Sequence, residues 1–428
     1  MTAVTAGARV SVLVPSWNGR EHLRLCLPTL LDQRRQLPGL EIVVLDNGST
    51  DGSAALVAER FPDVRVVRSE RNLGFAAGSN RLADEAAGEL LLFVNNDTRA
   101  EPDWAARMLA TLAAAPSDVA AVAGRIVDWE GERLDFGRGV MTFDGHALAL
   151  DQGRPLAAAR APASGEELLF GCGGNLLVRR DAFRAIGGFD AAYFAYFEDV
   201  DLGWRLWAAG YRVVACAEGV VRHRLSASSS RLGNRRRGLL FERNALWTVF
   251  KNLEPALRER LLPAILLTYL SRIAAMVGEE TPLGIPGAGE PGGAARQWPR
   301  ESAREKLARN GAGGLLRRGS ARALRALADR VAPRSPSIQI ASDRTAAQLG
   351  ALAELFEGLT DLAARRLAAQ ALRRRSDGEL FARFPLWIVP TYPGDARLFD
   401  STTFLELLPA ELRFERASLA AVLAAERS

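Results

Sequence analysis

The sequence predicts an α/β fold: a mostly parallel sheet with helices on both faces, followed by a mainly helical C-terminal region. Three observations carry this expectation. Short apolar runs at residues 10–15, 41–45, 64–67 and 90–94 alternate with helix-length segments. The runs are continuous rather than alternating, as in strands buried on both faces of a parallel sheet. The polar clusters Ser16-Trp17-Asn18, Asp46-Asn47 and Asn95-Asn96-Asp97 fall at the carboxyl ends of these runs, where open α/β sheets bind ligands.

The elements follow in order. The first run leads into helical spacing that extends to Gln36. The second ends in Asp46-Asn47-Gly48-Ser49-Thr50-Asp51-Gly52, a turn-forming composition. Helices are expected at 75–87 and 102–114. Beyond residue 115 the pattern is mixed: strands at 119–127 and 168–178, the second with internal glycines, a helix at 199–209 and a strand at 211–215. From Arg235 onward the spacing is helical. A Gly/Pro-rich linker or loop is expected at 281–293, and amphipathic helices at 303–330 and 345–375. At roughly 150 residues per domain, the 428 residues divide into a first domain at 1–254 and a helical region at 255–428. No repeat at a fixed period is present.

Composition narrows the class. The chain is 48% hydrophobic and 25% charged, normal for a globular protein. Its net charge is +5 and its cations are nearly all arginine, with lysine only at Lys251 and Lys306. That excess has two readings, base composition of the coding sequence or attraction to phosphates and an anionic membrane face. Cys26, Cys172 and Cys216 lie far apart without metal-ligand spacing and read as small buried residues. No signal peptide is visible. The most apolar stretch, 261–277, is interrupted by Pro263 and Arg272. It falls short of the ~20 residues that span a bilayer, so it reads as a buried or interfacial helix, with buried favoured. A cytoplasmic location, peripheral to the inner face of the membrane, is expected, with no nucleic-acid partner.

Four features carry chemistry. Leu91-Leu92-Phe93-Val94-Asn95-Asn96-Asp97 delivers a carboxylate to a strand end. A hard divalent cation bound to a diphosphate takes one or two carboxylates plus phosphate oxygens, although Asn and Asp also populate ordinary turns. Glu198-Asp199-Val200-Asp201 puts three carboxylates ahead of a helix; a general base or simple complementarity to the helix dipole explains it. His223 follows a strand. Gly171-Cys172-Gly173-Gly174-Asn175 permits close approach of backbone to a ligand. Neither a dinucleotide fingerprint nor a phosphate loop ending in Gly-Lys-Ser/Thr is present, which counts against a dehydrogenase and a P-loop NTPase.

These motifs, with Val14-Pro15-Ser16-Trp17-Asn18-Gly19 and Asn72-Leu73-Gly74-Phe75-Ala76-Ala77-Gly78-Ser79-Asn80, occur in an order and spacing that resemble glycosyltransferase family 2, across about residues 10–252. The bacterial rhamnosyltransferase-like branch, whose members build cell-surface polysaccharide, is the nearest in flavour. The resemblance implies the GT-A fold and a hexosyltransferase-type activity. It implies that Asp46 contacts the nucleotide base near Pro15 and Asn18, that Asn72, Gly74 and Asn80 line the donor pocket, and that Asn95 and Asn96 bond to the donor. Asp97, the last residue of the family's Asp-x-Asp motif, would bind Mg²⁺ or Mn²⁺ with His223 as second ligand. Asp199 would be the catalytic base, with Glu198, Gly173, Gly174 and Asn175 near the acceptor. The first Asp of Asp-x-Asp is Asn95 here, which leaves the metal one carboxylate fewer. The expectation is a metal-dependent inverting transferase that uses a dTDP- or UDP-linked sugar, with dTDP-rhamnose favoured, and a glycan or lipid-linked acceptor. The rivals are a sugar-nucleotide pyrophosphorylase, which needs a Gly-rich basic loop where Ser16-Trp17-Asn18 stands, and a non-catalytic scaffold.

Overall fold

The computed structural model describes residues 9–224, 232–276 and 343–423. The linker expected at 281–293 and the helix expected at 303–330 lie outside the described residues.

The first half has the expected alternation: β1 (Val10–Ser16), α1 (Arg20–Asp32), β2 (Glu41–Asn47), α2 (Ser53–Arg60), β3 (Arg65–Ser69), α3 (Gly74–Glu85) and β4 (Leu90–Val94). β1 lies between β2 and β4, and β2 pairs with β3, all in parallel. Side chains enter two layers. Leu13, Leu91 and Phe93 join one buried cluster, while Val12, Val14 and Leu92 join the other. Both faces are covered, so an alternating pattern has no solvent side to report.

The chain continues through β5 (Thr98–Ala100), α4 (Trp104–Ala114), β6 (Val119–Asp128), β7 (Leu134–Phe136), β8 (Gly139–Met141), β9 (Ala147–Ala149), β10 (Asn175–Arg179), α5 (Arg180–Ala185), α6 (Glu198–Ala208), β11 (Arg212–His223), α7 (Asn234–Asn252) and α8 (Pro255–Met276). Among the described residues nine strands form one sheet, ordered β3-β2-β1-β4-β10-β6-β11-β5 with β7 beside β6. β10 runs antiparallel between β4 and β6, so the second half of the sheet is mixed. Two expectations are corrected here. The strand expected over 168–178 is confined to Asn175–Arg179. Leu168, Leu169 and Phe170 are core residues of a buried loop, and an apolar run reports burial, which such a loop shares with a strand. β11 extends well past residue 215, because the irregularity between Cys216 and Val220 breaks the sequence pattern but not the pairing with β6.

The C-terminal region holds α9 (Asp343–Glu357), α10 (Leu359–Ala371), α11 (Asp377–Arg383), β12 (Leu386–Ile388), α12 (Asp395–Phe399), α13 (Thr402–Glu406), β13 (Phe414–Arg416) and α14 (Leu419–Val422). The helix expected over 345–375 is broken at Gly358, which starts α10. The hydrophobic core runs across residue 254: Trp204 and Trp207 pack edge-on against Phe381 and Phe384. α8 buries Leu261, Ala264, Ile265 and Tyr269 as expected and leaves Leu270 59% exposed. No helix among the described residues is long and apolar enough to cross a membrane.

A buried ion cluster fastens the two halves. In the β8–β9 turn, His146 lies between Asp144 (3.1 Å) and Glu242 of α7 (3.0 Å). Arg272 of α8 reaches Asp144 at 2.8 Å and Asp395 of α12 at 3.0 Å. Gln348 of α9 and the Tyr392 hydroxyl donate to Glu242. All of these side chains are buried or nearly so. Buried charges persist only when paired, and each here has a charged partner; His146 hydrogen-bonds Glu242 through Nε2, while its Nδ1 faces Asp144 as an ion pair. Burial pulls the His146 imidazolium down, but the Asp144 and Glu242 charges override it and raise its pKa to about 9.

Candidate active site

The carboxyl ends of β1, β2 and β4 open onto a cavity of about 470 Å³. On one side the wall is built by the segment ahead of α3. Asn47 at the end of β2 donates to Asn72 Oδ1 (3.1 Å) and the Gly74 carbonyl (3.0 Å), and accepts from the Leu73 amide (2.8 Å). Asn72 in turn accepts from the Gly74 amide at 2.9 Å. Gly74 has φ 80°, and a Cβ there would lie 2.4 Å from the Phe194 carbonyl oxygen; only glycine fits both the dihedral and the approach.

Pro15, Asn72, Gly74, Asn95, Asn96, Asp97, Gly173, Gly174, Glu198, Asp199 and His223 all line this one cavity. Asn18 and Asp46 flank it. Asp46 lies opposite Ser16 in the β1–β2 register and accepts from the Ser49 amide at 3.1 Å, while Asn18 Oδ1 accepts from the Thr50 amide at 2.8 Å. Two of the expected site residues bond within the protein. Asn80 is engaged with the Phe189 backbone, donating at 2.7 Å and accepting at 2.9 Å. Asn175 is fully buried, donates to the Arg125 and Gly219 carbonyls and accepts from Trp104 Nε1. Both amides tie elements together.

The strand-end carboxylate is buried. Asn96 donates to Ser16 Oγ at 2.8 Å, fixing the segment after β4 to the end of β1. Burial would push the Asp97 carboxyl up, but hydrogen bonding and charge from His223 hold it below the ordinary carboxylate range. His223 Nε2 is 3.3 Å from Asp97 Oδ1, and its Nδ1 is 2.8 Å from Asp135 Oδ2. Gln152 donates to the other Asp135 oxygen at 2.9 Å. Despite its burial, His223 is raised to about 10 by Asp135 and Asp97. Asp135 was not signalled by any motif: it stands 88 positions from His223 in a short strand of ordinary composition.

The donor set fits a divalent cation on a diphosphate. Among the described residues no group of three His, Cys, Asp or Glu gathers as a closed metal site. One carboxylate and one imidazole nitrogen face each other, and a site completed by phosphate oxygens needs no more than one or two protein carboxylates; Nε2 must first give up the proton that the two carboxylates hold on it, so a cation competes with that proton. A carboxylate on the far nitrogen of the imidazole, as Asp135 provides, is the usual support of a metal-binding histidine.

The start of α6 lines the same cavity. The Gly173 amide donates to Asp199 Oδ2 at 3.0 Å and the Val200 amide to Oδ1 at 2.9 Å. Burial raises the Asp199 pKa against these hydrogen bonds. Glu198 is buried, and among the described residues its Oε2 has no hydrogen-bond partner. Burial and the Asp199 charge push its pKa well above the carboxylate range. The third carboxylate, Asp201, is spent internally on Arg205 and Lys251. Burial drives the Cys172 thiol well up, which removes it as a nucleophile. The cavity lining thus holds two carboxylates raised by burial, Asp199 and Glu198, together with the Asp97–His223 pair.

The model of the family described as Glycosyl transferase family 2 matches residues 11–187. The chain is similar to the O-antigen biosynthesis protein RfbC of Myxococcus xanthus, 31% identical over 229 residues, which is 51% of this chain and 18% of that protein. It is also similar to the N-acetylglucosaminyl-diphospho-decaprenol L-rhamnosyltransferase of Mycobacterium tuberculosis, 30% identical over 212 residues, 45% of this chain and 69% of that one. Among solved structures, the mannosyltransferase PcManGT from Pyrobaculum calidifontis, in complex with GDP-Man and Mn²⁺, aligns with a TM-score of 0.45 and 18% identity over 82% of this chain and 87% of that one. The strand-end polar clusters lie inside the region that the family model covers, and the chain belongs to glycosyltransferase family 2, a glycosyltransferase of GT-A fold.

Proposed function

We propose that the protein transfers a sugar from a nucleotide-diphosphate donor, with inversion, to a hydroxyl of a glycan or lipid-linked acceptor in cell-surface polysaccharide synthesis. The observation that carries this reading is the convergence on one cavity of Asp199 and the Asp97–His223 pair. The similarity to an L-rhamnosyltransferase and to an O-antigen biosynthesis protein supports a dTDP- or UDP-linked donor, with dTDP-rhamnose first.

In this reading Asp199 takes the proton of the acceptor hydroxyl as its oxygen attacks the anomeric carbon from the face opposite the leaving diphosphate. Its raised pKa brings a carboxylate toward the range where a general base is most effective, and the Gly173 and Val200 amides fix its direction. Glu198, whose Oε2 is left without a partner among the described residues, faces the acceptor side. Pro15, Asn72, Gly74, Asn95 and Asn96 line the donor side, with Asn18 and Asp46 at its rim toward the nucleotide. Asp97 and His223 would hold Mg²⁺ or Mn²⁺, and Asp135 keeps His223 Nε2 turned toward Asp97. The ion would supply Lewis-acid neutralisation of charge on the departing diphosphate.

The test is a thermal-shift and turnover screen across nucleotide sugars, each with Mn²⁺ and with EDTA. A matched donor at ~100 times its dissociation constant adds about 2.7 kcal/mol, and turnover should appear only with the cation. No shift and no turnover with any nucleotide sugar would overturn the reading.

A further inference from the structure

The turn that leads into α6 is strained and clamped. Phe194 (φ 65°), Tyr196 (φ 72°) and Phe197 (φ 65°) occupy the left-handed region, which side-chain-bearing residues rarely adopt unless the surroundings over-determine it. All three line the cavity, and the next two residues are Glu198 and Asp199. The clamp comes from α7. The Asn244 amide nitrogen donates to the carbonyl oxygens of Tyr193 (3.0 Å), Ala195 (2.9 Å) and Tyr196 (2.7 Å). Asn244 is fully buried. Its Oδ1 accepts from Arg243 Nε at 2.9 Å, which fixes which end of the amide faces the turn. Arg243 also donates to the Ala192 and Tyr193 carbonyls, both at 3.1 Å, and pairs with Glu354 of α9 at 2.9 Å.

We propose that Asn244 is a positioning residue: its amide holds residues 193–197 in their strained shape and so aims Asp199 at the acceptor, and Arg243 locks that amide to the C-terminal region through Glu354. Without the three bonds, the turn relaxes toward negative φ and the first turn of α6 shifts with it. The donor wall touches the same turn, since the Phe75 and Ala76 amides donate to the Phe194 carbonyl at 2.6 and 3.2 Å, but Asn47 holds Asn72, Leu73 and Gly74 by its own bonds. The inference rests on the transferase reading only for the step that Asn244 serves.

The experiment compares Asn244→Ala and Asn244→Asp with wild type in three measurements: backbone hydrogen exchange over 193–199, calorimetry of UDP and of dTDP with Mn²⁺, and turnover per folded molecule of the nucleotide sugar that wild type uses fastest. Exchange over 193–199 should rise by about tenfold or more, with β1–β4 unchanged. Turnover should fall by about 100-fold, the cost of a misplaced catalytic group, while nucleotide affinity stays within about threefold. A merely stabilising residue would lower the folded fraction and leave turnover per folded molecule alone. Unchanged exchange, or turnover within about threefold of wild type, overturns the proposal. If wild type uses no nucleotide sugar, the transferase reading fails and the exchange comparison still decides the clamp. If Asn244→Ala does not fold, Arg243→Ala keeps the amide but unlocks it, and exchange must rise in the same segment or the proposal fails.

Discussion

The His146 cluster makes the stability of this protein depend on pH in a calculable way. The imidazole is buried between Asp144 of its own turn and Glu242 of α7. Arg272, Asp395, Tyr392, Tyr269 and Gln348 complete the surroundings. Its pKa rises from 6.5 to about 9 on folding. A raised folded-state pKa stabilises fully below the unfolded value, and the contribution disappears as pH climbs through the folded value. The window is therefore pH 6.5 to 9. At about 1.4 kcal/mol per pH unit, the contribution is on the order of 3 kcal/mol. Burial pushes Tyr269 and Tyr392 well above 10, so they stay silent in this window. The assay is urea unfolding followed by tryptophan fluorescence, for wild type and His146→Gln, between pH 6 and pH 9.5. Taking the difference cancels groups common to both. The advantage of wild type should shrink by about 3 kcal/mol across the window. A difference that does not change with pH would mean that His146 is neutral in the folded protein and that the assigned ion pairs are ordinary hydrogen bonds.

Other outcomes follow from the site. Asp199→Asn should reduce turnover by about 10²- to 10⁴-fold with donor affinity nearly unchanged; lost donor binding would move Asp199 into the donor pocket. Asp97→Ala should weaken Mn²⁺-dependent nucleotide binding in calorimetry, and Asp135→Asn should do so by about 10- to 100-fold; full activity of metal-stripped wild type would end the metal assignment. Gly74→Ala should lower the melting temperature through a loss of about 1–2 kcal/mol or more, since the added Cβ meets the Phe194 carbonyl at a positive φ; an unchanged melting curve would show that this turn yields cheaply. In lysed cells the protein should leave membranes at high salt, because exposed charge attraction is screened; release only by detergent would contradict peripheral attachment.

The parallel half of the sheet was legible because Val10–Ser16, Glu41–Asn47 and Leu90–Val94 are buried on both faces and end in polar turns. The motif residues Asn95, Asn96, Asp97, Glu198 and Asp199 were legible for the same reason: each sits at the end of a strongly patterned element. The sequence could not reveal that β10 inserts antiparallel between β4 and β6, since periodicity reports element type and not partner. Nor could it reveal Asp135, Asn244 or the His146 cluster, whose partners are brought together over long sequence separations by folding alone. Asn80 and Asn175 show that a motif position can call for an amide whose visible partners are backbone groups.

The ion cluster between the β8–β9 turn and α7, α8, α9 and α12 also bears on modular engineering. Thr142–His146 precedes Ala147, Leu148 and Ala149, which line the cavity, while its charges are answered from Arg272, Gln348, Tyr392 and Asp395. A chimera that grafts a relative's C-terminal half after residue 254, to exchange acceptor preference, would mate two sets of buried charges that never matched. The junction that survives recombination must therefore carry the 142–146 turn and Glu242 together with the transplanted helices, as one inherited block.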